Sequence, residues 1–251
     1  MKTNQLIHNQ LRFYCDINLD LDQNIELPKN IVHQVFRVLK KRVGDHIYLF
    51  NGSNKEYKIE LCEVTKSKII GYVDQFIDYN GELDTNIYLY QSLVEHTRME
   101  LIIQKCTELG VKNIYPVISN KCKIKSFSES KRERWNNIIK ESSEQSFRSK
   151  IMKLDNIINF KDACINAKGL KIFCNEYETN FHMNKINTSY LKQNNISDIS
   201  IFIGPVSGYD QSEILHAQEQ RMISVSLGKR VLRTETAAIA SVSNIVNQIS
   251  W

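Results

Sequence analysis

The chain has 251 residues, 42% of them hydrophobic and 24% charged, which suffices for one large or two small domains with a real core. Its formal net charge of +5 is a mild excess that fits a nucleic-acid partner without requiring one. No apolar run approaches the roughly 18 residues of a membrane span, and MKTNQLIHNQLRFYCDINLD has no continuous apolar stretch of the kind a signal peptide carries, so a cytoplasmic protein with no membrane partner is expected.

The first third reads as mostly β. NIVHQVFRVLKK places Val32, Val35, Phe36 and Leu39 on one helical face. HIYLF and YKIELCEV then alternate apolar and polar residues around the turn FNGSN, and KIIGYVD adds a third strand. A small β domain is expected over 1–75. DYNGELDTN reads as polar and turn-forming, giving a linker over about 76–86. From there the rhythm changes to alternating strands and helices, so 76–251 should form a mostly parallel sheet covered by helices.

In this second part NIYLYQSLV is a strand, and RMELIIQKCTELG is a helix with Gly110 just past its end. NIYPVIS is a strand again. SESKRERWNNIIKESSEQSFR is a long helix with Trp135, Ile138, Ile139 and Ser142 on its packing face and Glu141, Gln145 and Arg148 as a polar stripe. LKIFCNEY and DISIFIGP are strands, and the helix DQSEILHAQ follows with Asp210 and Glu213 spaced for a capping box. MISVSL is the last strand. In the last helix Ala238, Val242, Ile245 and Ile249 form a narrow apolar stripe, with Ala240, Ser241 and Ser243 as small neighbours. This suits packing against another element or a second subunit, and Trp251 at the terminus also suits docking.

The six cysteines, at 15, 62, 106, 122, 164 and 174, contain no C-x-x-C pair and read as thiols in a reducing compartment. No ligand cluster suggests a metal. Two glycine-containing loops, IFIGPVSGYD and VSLGKRVLRTET, follow the last two strands, where open α/β sheets bind ligands. Spacing alone leaves two readings open: backbone made accessible to a ligand, or mere turning of the chain. Neither loop is a phosphate-binding motif. Thr234 suits an N-cap and Glu235 a first-turn acid, but Arg233 is a cation at the positive end of the helix dipole and calls for an anionic partner. Basic clusters at 37–42, 121–125 and 131–134 are candidate phosphate contacts or plain solvated surface.

LIIQKCTELGVKNIYPVISNK, RWNNIIKESSEQSFR, IGPVSGYDQSEI and VSLGKRVLRTETAAIA together resemble, in order and spacing, the RsmE family. These are SPOUT methyltransferases that methylate N3 of a uridine in 16S ribosomal RNA. HQVFRVLKKRVGDHIYLFNGSNKEY is similar to the family's PUA-like barrel. The resemblance implies an α/β fold whose C-terminal domain carries a deep trefoil knot, with a small N-terminal PUA-like β-barrel. It implies S-adenosylmethionine as cofactor and S-adenosylhomocysteine as product. The pocket would be formed by Ile203, Gly204, Pro205, Gly208, Leu227, Gly228, Leu232, Thr234, Thr236 and Ala237. It also implies a homodimer through the knotted domain and 16S ribosomal RNA, within the small ribosomal subunit, as partner.

On that footing Arg233 is the expected stabiliser of charge developing on the base, and Glu141 or Glu235 the proton acceptor. Arg12, Arg37, Lys41, Arg42, Lys105, Lys121 and Arg148 are the expected RNA contacts. The chain departs from the family's I-G-P-E-G-G-F loop at Val206 and Ser207, which removes a carboxylate and a glycine able to adopt positive φ. A non-catalytic RNA-binding or assembly protein of the same fold, or the same chemistry on another RNA, are the alternatives.

Overall fold

The structure, a computed structural model, describes residues 11–78 and 81–249. The chain divides into two compact units, one reaching to Glu82 and including Phe147–Lys150, the other formed by Leu83–Ser146 and the residues from Ile151 onward. The expected boundary at 75 falls inside a strand, and the segment 147–150, whose first two residues were expected to end the long helix, belongs to the first unit.

In the first unit, β1 (Arg12–Tyr14), β2 (Asn24–Glu26), β3 (His46–Phe50), β4 (Lys55–Val64) and β5 (Ile69–Asp78) form one sheet in the order β1-β3-β4-β5-β2. The alternation read in HIYLF and YKIELCEV is realised: Ile47, Leu49, Tyr57, Ile59 and Leu61 are buried. Helix α1 (Lys29–His33) continues as a π-helical turn over Gln34–Val38, burying Val32 and Val35 with Phe36 and Leu39 packed partly against the same core. The two three-residue strands β1 and β2 escape a sequence reading, because neither is long enough to show a period.

The second unit holds β6 (Asn86–Ser92), α2 (His96–Glu108), β7 (Asn113–Ile118), α3 (Glu129–Gln145), β8 (Lys153–Leu154), β9 (Ile158–Asn159), α4 (Phe160–Asn166), β10 (Leu170–Cys174), α5 (Thr188–Gln193), β11 (Asp198–Ile203), α6 (Gln211–Glu219), β12 (Ile223–Val225) and α7 (Thr234–Ile249). All strand pairings are parallel, in the order β12-β10-β11-β6-β7-β8 with β9 also on β7. Side-chain alternation sorts the strands onto two faces. Ile87, Leu89 and Ile201 pack with Met99, Trp135 and Val242 from α2, α3 and α7, while Tyr88, Tyr90 and Phe202 pack with Phe160 and Ile214 from α4 and α6. Tyr90 lies stacked between Phe202 and Tyr115, its centroid 4.4 and 4.6 Å from theirs, tying β11, β6 and β7 together.

Helix ends behave as their residues dictate. Gly110 has φ +89°, and the bonds Val111 N to Cys106 O and Gly110 N to Thr107 O close α2 in a Schellman motif. The Asp210–Glu213 capping box opens α6. In α7, Ala238, Val242 and Ile245 are fully buried in this chain's own core against α2, so these three residues of the apolar stripe pack against another element of the same chain, while Ile249 is half-buried. The expectation placed on Trp251 lies outside the described residues. Among the described residues no helix is long and apolar enough to cross a membrane, and no group of three or more His, Cys, Asp or Glu is placed to hold a metal ion.

Candidate active site

Because β10, β11 and β12 are parallel neighbours, their carboxyl ends open on the same side. A cleft lies just outside them. It is lined by Cys174, Asn175 and Glu176 after β10, by Ile203–Val206, Gly208 and Tyr209 around the end of β11, by Ser226–Leu232 after β12, and by Thr234 and Ala237 of α7. This is the place where α/β sheets bind ligands.

The loop after β11 turns at Gly208, which has φ +66° and donates its N–H to Pro205 O at 3.0 Å. An added Cβ there would sit 2.2 Å from Glu176 Oε1. Val206 and Ser207 are not among the positive-φ residues, so the loop takes its left-handed turn at the glycine it retains, and the departure at Ser207 carries no backbone strain. At Gly228, φ is +123° and a Cβ would meet nothing within 4 Å, leaving the backbone open to a ligand.

Thr234 is the first residue of α7 rather than its N-cap. Ala237 N bonds to Arg233 O at 2.8 Å, which puts Arg233 in the capping position. The Thr234 hydroxyl donates to Gly204 O at 2.7 Å and accepts from Gln91 Nε2 at 3.1 Å, fastening the β11 loop to the helix and to β6.

The expected cofactor residues line this cleft, except Thr236, which is exposed on α7 and not among the lining residues. Arg233 is exposed beside the cleft and, among the described residues, makes no ion pair or hydrogen bond through its side chain. Glu235 lies one residue past Thr234, with 12% of its side chain exposed, and pairs with Arg98 of α2 at 3.6 Å. Glu141 is exposed on α3, a helix that contributes nothing to the cleft, so the structure does not bring it to the site.

Two expected RNA contacts are corrected. Arg12 is 5% exposed and its Nε meets Glu56 Oε1 at 2.7 Å. Arg148, also 5% exposed, pairs with Glu82 at 3.0 Å. Both guanidiniums are internal struts of the first unit. Lys105 pairs with Glu108 at 2.8 Å on the surface of α2. Lys121 turns its ammonium onto Tyr209 O at 2.9 Å rather than to solvent alone. Arg37 and Arg42 are exposed, and Lys41 is half-buried with Asp45 4.0 Å away.

Sequence reasoning missed Cys174, Asn175, Glu176, Tyr209 and Ser226 as lining residues, while Lys229, Arg230 and Val231 fall within the Leu227–Leu232 loop it expected to line the pocket. Cys174 ends β10 and Asn175 and Glu176 follow it, so they join the cleft wall because β10 lies between β12 and β11 in the sheet. Among the lining residues Glu176 is the single carboxylate, opposed by Lys229 and Arg230. Burial pushes the Cys174 thiol up to about 12 and the Tyr209 phenol well above its ordinary range, so both remain neutral walls. The cleft thus combines accessible backbone, neutral walls, one anion and cations at its mouth.

An all-parallel sheet clothed by helices on both faces, with a glycine-bearing cleft at its strand ends, defines an α/β ligand-binding domain. The family model of the RNA methyltransferase domain matches residues 81–246. The ribosomal RNA small subunit methyltransferase E of Bacillus subtilis is 30% identical over 223 residues, covering 86% of this chain and 87% of that protein. The protein of that name from Mesomycoplasma hyopneumoniae is 34% identical over 201 residues, covering 79% and 84%. A crystal structure of the Neisseria gonorrhoeae ribosomal RNA small subunit methyltransferase E bound to S-adenosyl methionine superposes with a TM-score of 0.84 at 30% identity, covering 95% and 97%. The chain belongs to the RNA methyltransferase family, within the group of the ribosomal RNA small subunit methyltransferases E.

Proposed function

We propose that this protein methylates N3 of a uridine in 16S ribosomal RNA, using S-adenosylmethionine held in the cleft of the second unit. The observation that carries this reading is the cleft itself, formed by the Gly208 turn after β11 and the open backbone of Gly228 after β12, with Lys229, Arg230 and Arg233 around its mouth and no ion pair to any of them among the described residues. The lining fits such a cofactor. Ile203, Leu227, Leu232 and Ala237 offer apolar surface for a purine, Glu176 suits hydroxyl or ammonium donors, and Lys229 or Arg230 suits a carboxylate.

When bound, S-adenosylmethionine supplies an electrophilic methyl group. Uracil N3 carries a proton at neutral pH and is a poor nucleophile, so the protein must align N3, ease loss of the proton and stabilise charge growing on O2 and O4. Arg233 serves the last task as an unpaired cation beside the cleft. Glu235, adjacent to Thr234, takes the proton or orients the base. The base must leave any stack to reach the site, and Val231, a lining residue 80% exposed, offers apolar surface to receive it.

The same reading includes a trefoil-knotted second unit and a PUA-like barrel in the first, both resting on family membership. The homodimer, the assembled small subunit as substrate and the cytoplasmic location rest on family membership; α7's buried stripe lends the dimer no support. The test is methyl transfer from labelled S-adenosylmethionine to small ribosomal subunits lacking the modification, with nucleosides identified by mass spectrometry. 3-Methyluridine is expected. No incorporation by folded protein, beside an active relative as control, would leave the non-catalytic RNA-binding reading standing.

Arg37, Lys41 and Arg42 position the RNA through phosphates in this reading. Changing all three to alanine should weaken RNA binding and reduce the salt slope by about three, because the Lys41–Asp45 contact is too long and exposed to hold that lysine. Cofactor affinity should not change, since none of the three lines the cleft. Unaltered RNA affinity in a salt titration would remove these residues from the interface.

A further inference from the structure

We propose that Lys121, with Asn120, is a positioning residue that braces the cofactor loop after β11, rather than a contact to RNA. The two residues follow β7, and β6 separates β7 from β11 in the sheet. Their turn therefore reaches over the end of β6 to the loop that forms one wall of the cleft. Lys121 Nζ donates to Tyr209 O at 2.9 Å and to Ser207 O at 3.4 Å, on either side of the left-handed Gly208.

Asn120 fixes the far end of the same loop. Its backbone N–H donates to Glu213 Oε1 at 2.8 Å, and its side-chain amide donates to Asp210 Oδ2 at 2.6 Å. Those two carboxylates also form the capping box of α6, with Glu213 N to Asp210 Oδ1 at 2.9 Å and Asp210 N to Glu213 Oε2 at 3.0 Å. At the near end, Gly204 O is held by Thr234. The segment from Gly204 to Asp210 is thus pinned at both ends, and Lys121 is the group that holds its middle.

The chemistry of the ammonium explains the choice. Three donors on one point charge can satisfy two backbone carbonyls that diverge around a turn, with one donor left for water. Lys121 is not among the residues lining the cleft, so it acts through Gly208 and Tyr209, which are. The wall they form has to be rigid before a ligand arrives if affinity is not to be lost to ordering it.

This inference rests on the proposed cofactor, and the experiment separates the two. In full-length protein without RNA, Lys121→Met should bind S-adenosylmethionine about tenfold or more weakly by calorimetry, as expected for loss of charge-assisted hydrogen bonds. In turnover it should raise KM for the cofactor while leaving KM for RNA unchanged. Lys121→Arg, which keeps a forked donor within reach of both carbonyls, should restore most of the affinity. Amide exchange at Gly208 and Tyr209 in ligand-free protein should quicken in Lys121→Met and not in Lys121→Arg, and this readout needs no cofactor; Lys121→Gln serves if the methionine variant fails to fold. If wild-type protein binds no S-adenosylmethionine but the exchange pattern holds, the proposed function falls and the brace stands. Wild-type cofactor affinity in Lys121→Met with a raised KM for RNA would overturn the brace and return Lys121 to the RNA surface.

Discussion

Arg233→Ala is expected to bind S-adenosylmethionine with wild-type affinity and to transfer methyl about a hundredfold to a thousandfold more slowly, the usual loss when one donor to a developing charge is removed. The structure sharpens the reason. Arg233 occupies the capping position of α7, where the free N–H groups already give a positive potential and where Asp, Asn or Ser would be favoured. Its side chain is exposed and, among the described residues, answers no carboxylate: the nearby Glu235 is paired with Arg98 instead. A cation held in an unfavourable place without a partner is what a site for a transient anion requires. The same logic predicts a trade of stability against function. Arg233→Asp should raise the melting temperature by supplying a proper cap and should abolish transfer, while Arg233→Lys, which keeps the charge but not the planar fork, should recover part of the rate. Near-full turnover in Arg233→Ala at unchanged cofactor affinity would remove the residue from the reaction.

Arg233 stands out in the sequence as a cation at a helix start, whereas nothing near Lys121 in the chain announces its hydrogen bonds to Ser207 O and Tyr209 O, and the contrast shows which information is local. A Schellman glycine at Gly110 and the Asp210–Glu213 box are settled within a few residues of chain and were legible as spacing, whereas the cap of α7 was expected one residue late, at Thr234 rather than Arg233. Strands β3 and β4 were legible as period-two alternation, and β5, β6, β7, β10, β11 and β12 as short apolar runs set between turns and helices. The loops after β11 and β12 could be named because they follow strands, but the third wall, Cys174 to Glu176, depends on β10 lying between β12 and β11, an order that adjacency in sequence does not announce. Thr236, expected at the pocket from the family resemblance, sits two residues from Thr234, and on a helix that separation turns it away from the cleft. Lys121 looked like a basic-cluster residue, and only the fold brings Tyr209 O to it across 88 positions of sequence. Charged residues are the hardest to place from composition, because a solvated cation, a phosphate contact and an internal strut share one side chain.

Arg12 makes that difficulty measurable. Arg12→Ala should cost about 3–5 kcal/mol of stability in the first unit, the range for breaking one half of a buried ion pair. The guanidinium donates to Glu56 at 2.7 Å and to Arg148 O at 3.0 Å, and it lies over the rings of Phe50 and Phe147 at 4.5 and 5.1 Å. Removing it strands Glu56, which is 2% exposed, as an uncompensated buried carboxylate. Most of the loss arises there, in what is left behind, rather than in the attraction that is gone. The double variant Arg12→Met with Glu56→Leu should therefore be far more stable than the single alanine variant, because both charges leave together and apolar volume replaces them. This pair of variants also decides whether Arg12 touches RNA. Denaturant unfolding reports the strut, and RNA binding by the folded double variant reports the contact. If the double variant folds and binds RNA like wild type, the arginine holds the unit together and the RNA surface belongs to exposed cations such as Arg37 and Arg42. If it folds and loses RNA affinity with a shallower salt slope, then an arginine buried in the ligand-free protein must come out to meet a phosphate, and its ion pair with Glu56 would be a latch rather than a strut.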